Sequence, residues 1–228
     1  MDRISRSRWL MAIVLGVACV GCVAMLVLRS TVSGSFQMRS LVWNLFLAAV
    51  PFPFAWLADA MGRRGVRGRW IVLPSVVWLA FFPNAPYLVT DLIHLKPGGP
   101  VPLWYDSLVY FAFASTGLLL GFTSLYLVQS VVDRRRGSLA GWALAAVSIG
   151  LGGYGIFLGR VQRWNSWDVI TNPRSLASSV RQQVTDPLSN QQAIIITLGF
   201  AVFMAAVYGT LRAFAHLVTV DAPHESIT

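Results

Sequence analysis

The sequence predicts an all-α membrane protein, a polytopic transmembrane bundle of about six helices with a short outer amphipathic helix. Three observations lead there. Hydrophobic residues make up 56% of the 228 positions and charged residues 12%, about half the charge of an ordinary soluble domain. Mean hydropathy is +0.62. The apolar residues gather in runs of about 20 or more, the length a helix needs to cross the hydrocarbon core. The basic residues, 17 arginines and one lysine in a net charge of +9, sit mostly between those runs. A chain this basic invites a nucleic-acid reading, but short arginine clusters between apolar runs are the pattern of cytoplasmic loops. Nucleic acid is therefore not an expected partner, and the same composition excludes a disordered chain.

The first run covers 9–28 and follows Arg3, Arg6 and Arg8. It is longer than the apolar core of a signal peptide and no A-x-A site follows, so an uncleaved helix is expected. Cys19 and Cys22 have C-x-x-C spacing. In a lipid-embedded helix the thiolate is disfavoured, and the pair reads as packing residues rather than a redox couple. The second run, 41–61, contains Pro51 and Pro53, which remove backbone donors and should bend it. The third, 70–90, contains Pro74, Pro83 and Pro86. The fourth, 103–132, is long enough to tilt or protrude and carries a GxxxG pattern at Gly117 and Gly121, which lets helix backbones approach closely. The fifth, 139–159, is rich in glycine, as expected of a helix packed among others. The sixth covers 193–218, and a polar tail follows from Asp221. The chain 1–228 reads as one integral membrane domain.

Arginine placement sets an expected orientation. Three arginines precede the first run, four lie in 63–69 and three in 134–136. The short loops on the other side hold only Arg29, Arg39 and Lys96. The positive-inside bias puts both termini in the cytoplasm of a multi-pass inner-membrane protein. The segment 160–192 then lies outside. Within it Asn172 and Pro173 make a helix start. Leu176, Val180 and Val184 share a stripe, and Asp186–Pro187 is the expected stop. A helix of this kind suits the outer membrane surface. An ordered loop capping the bundle is the alternative.

Polar residues of mixed type collect at the outer side, where interfacial and intramembrane polar groups mark candidate sites. They are Asn44, Asn84, Asp91, His94, Asp106, Arg160, Arg163, Asn165 and Asp168. Pro83 and Pro86 break the third helix, and Asn84 can donate to a carbonyl they free. Such breaks are tolerated where they are buried in protein or line a cavity. Asp91 and His94 are three apart and share a helical face. A carboxylate beside an imidazole can bind metal or move a proton. Zinc usually takes three protein ligands, and one histidine is present here, so no metal and no cofactor is expected. Trp164 and Trp167 suit interfacial anchors. An aspartate at this depth needs a countercharge. Asp91 or Asp106 is therefore expected against Arg160 or Arg163, with Asn44 or Asn84 nearby.

Three strings, LVWNLFLA at 41–48, FFPNAPYLVTDLIH at 81–94 and RWNSWD at 163–168, resemble the signatures of the bacterial membrane family called domain of unknown function 1361. The resemblance spans about 20–218. It implies a polytopic bacterial inner-membrane protein and carries no activity, substrate or catalytic residue. No recognised catalytic pattern contains Asp91, His94 or Asp168. The centres of the first, fifth and sixth runs lack the polar residues of a transport path. These observations favour a structural or partner-binding membrane subunit, in contact with membrane lipids and with a membrane-protein partner or a second copy. The alternatives are an outer-leaflet enzyme acting on a lipid-linked group, and a small transporter or lipid-handling protein.

Overall fold

A computed structural model describes residues 3–36, 38–185 and 190–220. Six helical stretches are long and apolar enough to cross a membrane: Arg6–Ser33, Arg39–Arg63, Gly68–His94, Leu103–Arg136, Ser138–Arg160 and Gln191–Leu217. The predicted polar tail from Asp221 lies outside the described residues.

Helix α1 (Arg3–Ser33) is straight in sequence terms, without an internal proline. The second span divides into α2 (Arg39–Ala49) and α3 (Pro51–Arg63). Pro51 lacks the donor that would continue α2, yet it suits the first turn of α3, where that donor has no partner. Val50 between them keeps helical angles, φ −53° and ψ −42°. The ladder is interrupted while the backbone keeps helical angles at the junction.

The third span is broken more deeply. Helix α4 (Gly68–Phe81) ends before Pro83. One turn, α5 (Asn84–Tyr87), and a 3₁₀ segment (Leu88–His94) follow. Pro86 cannot donate to Phe82, and the Ala85 amide takes that carbonyl at 3.1 Å. The Phe81 carbonyl is thereby left over, and the Asn84 side-chain amide donates to it at 2.9 Å. This is the donor role expected of Asn84 from the missing proline N–H groups.

Helix α6 (Leu103–Arg136) forms the centre, and its apolar window is 61% buried against 17% for α1 and 11% for the last span. Its glycines seat the broken segment. A Cβ on Gly117 would lie 2.7 Å from the Ala85 carbonyl oxygen, and one on Gly121 2.8 Å from the Ala85 Cβ. The GxxxG pattern thus lets α5 rest on α6. Helix α7 (Ser138–Arg160) closes on both neighbours. Gly155 abuts the Pro83 ring, and Gly153 abuts the Thr197 carbonyl of α10 (Gln191–Val220).

Beyond α7 come one turn, α8 (Asp168–Thr171), and α9 (Pro173–Thr185). Leu176 faces a cleft in the bundle. The Tyr154 hydroxyl donates to Gln183 at 2.6 Å, and Ser179 donates to Gln162 at 2.7 Å. This side of α9 is seated on the bundle as a cap. The Val184 side chain and the expected stop at Asp186–Pro187 lie outside the described residues.

Ion pairs mark the two ends. Arg8, Arg63 and Arg134 converge on Asp59, which is 1% exposed, with Arg134 at 2.7 Å. These residues bring the start of α1 and the ends of α3 and α6 together at a basic end. At the opposite end Arg29 of α1 meets Asp106 of α6 with both nitrogen–oxygen contacts at 2.7 and 3.0 Å.

Candidate functional site

The 3₁₀ segment Leu88–His94 has poorer hydrogen-bond geometry than an α-helix, and α7 supplies a further donor. Arg160, the last residue of α7, donates to the Thr90 carbonyl at 2.7 Å and to Asp91 at 3.3 Å. It also donates to the Tyr87 hydroxyl at 3.2 Å, lies 5.4 Å from the centre of that ring, and approaches His94 Nε2 at 3.1 Å. A guanidinium cannot accept, so in this contact His94 Nε2 is the acceptor. Asn44 completes the group by donating to the other Asp91 oxygen at 2.8 Å. Asp91 itself is buried, at 4% exposure. Four residues singled out in the sequence, Asn44, Asp91, His94 and Arg160, therefore meet.

A second bond joins the strings at 81–94 and 163–168 in space. Asn84 donates to Ser166 Oγ at 2.8 Å as well as to Phe81. Trp167 packs on Trp43 with ring centres 6.2 Å apart. Trp164 donates to Gln162 and lines the cleft rather than standing free.

The remaining candidates go elsewhere. Asp106 pairs with Arg29, not with Arg160 or Arg163. Arg163 is exposed, and its backbone turns through φ +60° just past α7. That left-handed turn is uncommon for a non-glycine residue, and it carries the chain over the bundle. Asp168 accepts the Asn165 amide at 2.7 Å, Thr171 Oγ1 at 3.2 Å and Asn172 at 3.3 Å. The Asn165 backbone bond is the main reason its carboxyl titrates below the usual range. Asp168 thus fixes the turn before α8.

Two cavities flank the cluster. The first, about 420 Å³, lies between α2, α4 and α7 under the loop that follows α7. Its walls are apolar, including Leu47, Val76, Leu79 and Leu151. Its polar lining is Asn44, Asn84, Asn165, Ser166, Tyr87 and Tyr154. No Asp, Glu, Lys or Arg lines it. Val76, Trp43 and Leu151 are exposed, so the cleft has a side mouth on the surface the bilayer would cover. The second, about 590 Å³, is charged, with Arg29, Asp91, His94, Lys96 and Asp106 in its lining. Asn44 faces the first cavity and Asp91 the second, so their hydrogen bond forms part of the partition. Among the described residues no group of three or more His, Cys, Asp or Glu side chains is arranged to hold a metal.

Residues 43–207 match the family model described as protein of unknown function (DUF1361). The chain belongs to the DUF1361 family. The match begins at Trp43, immediately before Asn44, and encloses the broken helix, the Arg160 cluster and the cleft. Arg29 of this DUF1361 protein lies before the matched region. No curated protein and no solved structure matches the chain.

Sequence reasoning missed Arg29, Tyr87 and Tyr154. The signal for Arg29 was a lone arginine at the end of one apolar run and an aspartate at the start of another, at one membrane depth. Tyr87 sat inside the longest string, between its two prolines' turn and Asp91.

Proposed function

We propose that this DUF1361 protein is a bacterial inner-membrane binding protein. Its basic end and both termini face the cytoplasm, and its cleft at the other face takes the uncharged, hydroxyl-rich head of a membrane amphiphile. The observation that carries this reading is the lining of the 420 Å³ cleft. Amide and hydroxyl groups sit above apolar walls without a single charged side chain, and the mouth opens sideways. Asn84 spends its donors on Phe81 and Ser166, and Asn44 donates to Asp91. Their amide oxygens are left as acceptors for ligand hydroxyls. Trp43, Tyr87 and Trp164 add ring faces. A few placed polar groups in an apolar cleft of this size match a small-ligand site. A partner-binding patch would turn these groups outward, and here Asn44 and Asn84 turn into the cleft.

The test is lipid retention. Protein in a zwitterionic detergent is exposed to equal amounts of glucosyl diacylglycerol and phosphatidylcholine, then washed, and the retained lipid is measured by mass spectrometry. The glucosyl lipid should be enriched, and Val76→Trp, which blocks the exposed mouth, should abolish the enrichment. Equal retention of the two lipids by the wild type would contradict the reading.

A further inference from the structure

A third feature lies at the basic end, away from the cleft. Arg212 of α10 is half-buried. Its guanidinium carbon stands 4.9 Å from the centre of the Tyr126 ring and 5.7 Å from that of Trp142. It lies within the stretch of α10 that is long and apolar enough to cross a membrane. A cation at that depth is costly without a counterion. The salt bridges among the described residues use Arg8, Arg29, Arg63, Arg134 and Arg160, and Arg212 has none. Beside it runs a groove of about 740 Å³, lined by Met11, Leu119, Phe122, Trp142 and Leu211. Leu119, Trp142 and Leu211 are exposed, so the groove lies open on the bundle surface.

We infer that this groove binds one anionic phospholipid of the leaflet at the basic end, its phosphate on Arg212 and an acyl chain along the apolar wall. Both rings lie within cation–π distance of the guanidinium. The guanidinium fork fits two phosphate oxygens. Zwitterionic lipids carry a phosphate too. Their head also carries a cation, which Arg212 itself repels. The complementary ligand is therefore a lipid with net negative charge.

The experiment exposes detergent-solubilised protein to equal phosphatidylglycerol and phosphatidylcholine and measures retained lipid by native mass spectrometry. Phosphatidylglycerol should be enriched about fivefold, the factor one basic residue near an anionic surface contributes. Arg212→Gln should bring the ratio to parity, while Arg69→Gln, an arginine stacked on Trp70 at the same end, should leave it unchanged. Leu211→Trp fills the groove without altering charge and should also remove the enrichment, which covers the case of an unfolded Arg212 variant. An enrichment that survives Arg212→Gln or Leu211→Trp would overturn the inference. So would loss of the lipid to millimolar inorganic phosphate, which would mark a site for free phosphate. Val76→Trp, at the other cleft, should not affect this ratio.

Discussion

A buried carboxylate in a membrane bundle persists only with its countercharge in place, and Asp91 has both a cation and an amide on it. Arg160→Gln removes the cation and leaves the carboxylate with Asn44 alone. The expected loss is on the order of 3 kcal/mol, the cost of breaking a buried pair from one side, read as resistance to unfolding in mixed micelles. Adding Asp91→Asn to Arg160→Gln should cost much less than the sum of the two single changes. Arg163→Gln should add to Asp91→Asn independently, because Arg163 is exposed and past the turn. Asp168 makes a pH prediction. Its folded carboxyl titrates below its unfolded value, mainly through the Asn165 amide. It therefore contributes stability above the unfolded value, near 3.9, and loses it as pH falls through the folded one. The melting temperatures of wild type and Asp168→Asn should differ at pH 6 and converge as pH drops below 4. A constant gap would contradict this. The sequence made the need for an arginine legible at Asp91 but not which arginine. Arg160 ends α7 against the broken span, and Arg163 lies three residues on, exposed in a left-handed turn. No linear spacing encodes that turn.

At the scale of elements, the broken third span depends on how closely its neighbours approach. A Cβ on Gly155 would lie 2.5 Å from the Pro83 ring, which cannot swing aside. Gly155→Ala should therefore destabilise by about 1–3 kcal/mol, as overpacking does. Gly150→Ala, five residues earlier on the same helix and with nothing within 4 Å of its Cβ, should be neutral or stabilising by up to about 1 kcal/mol. Equal effects of the two would deny that α7 packs on the proline break. The break was legible because prolines delete donors at fixed positions, and Asn84 follows from the accounting of the freed carbonyls. The seating of α5 on Gly117 and Gly121 was legible only as a tendency toward close packing. Which helix fills such a notch is decided by three-dimensional neighbours. Helix α9 was legible from its start at Asn172–Pro173, whereas its seat on the bundle rests on Tyr154 and Ser179, polar contacts that hydrophobic periodicity ignores.

For the whole molecule, the six spans follow directly from apolar length, and the ends follow from charge. The proposed orientation has its own check. In a chain lacking Cys19 and Cys22, cysteines at Ser33 or Gly98 should react with an impermeant thiol reagent added outside intact cells. Those at Gly65 or Ser138 should react only after lysis. The buried Arg29–Asp106 pair was not legible, since each residue closes or opens a different run and only folding sets them side by side. The central claim is that the broken third span and the loop after α7 close on each other over the cleft. Asn84 and Ser166, 82 positions apart and 2.8 Å between side chains, test it most directly. Cysteines at both positions, in the chain lacking Cys19 and Cys22, should be joined in native membranes by a short bifunctional thiol reagent. Protease cleavage between the two positions would then leave one covalent species. Two separate fragments, with both cysteines shown to be reactive, would contradict the account.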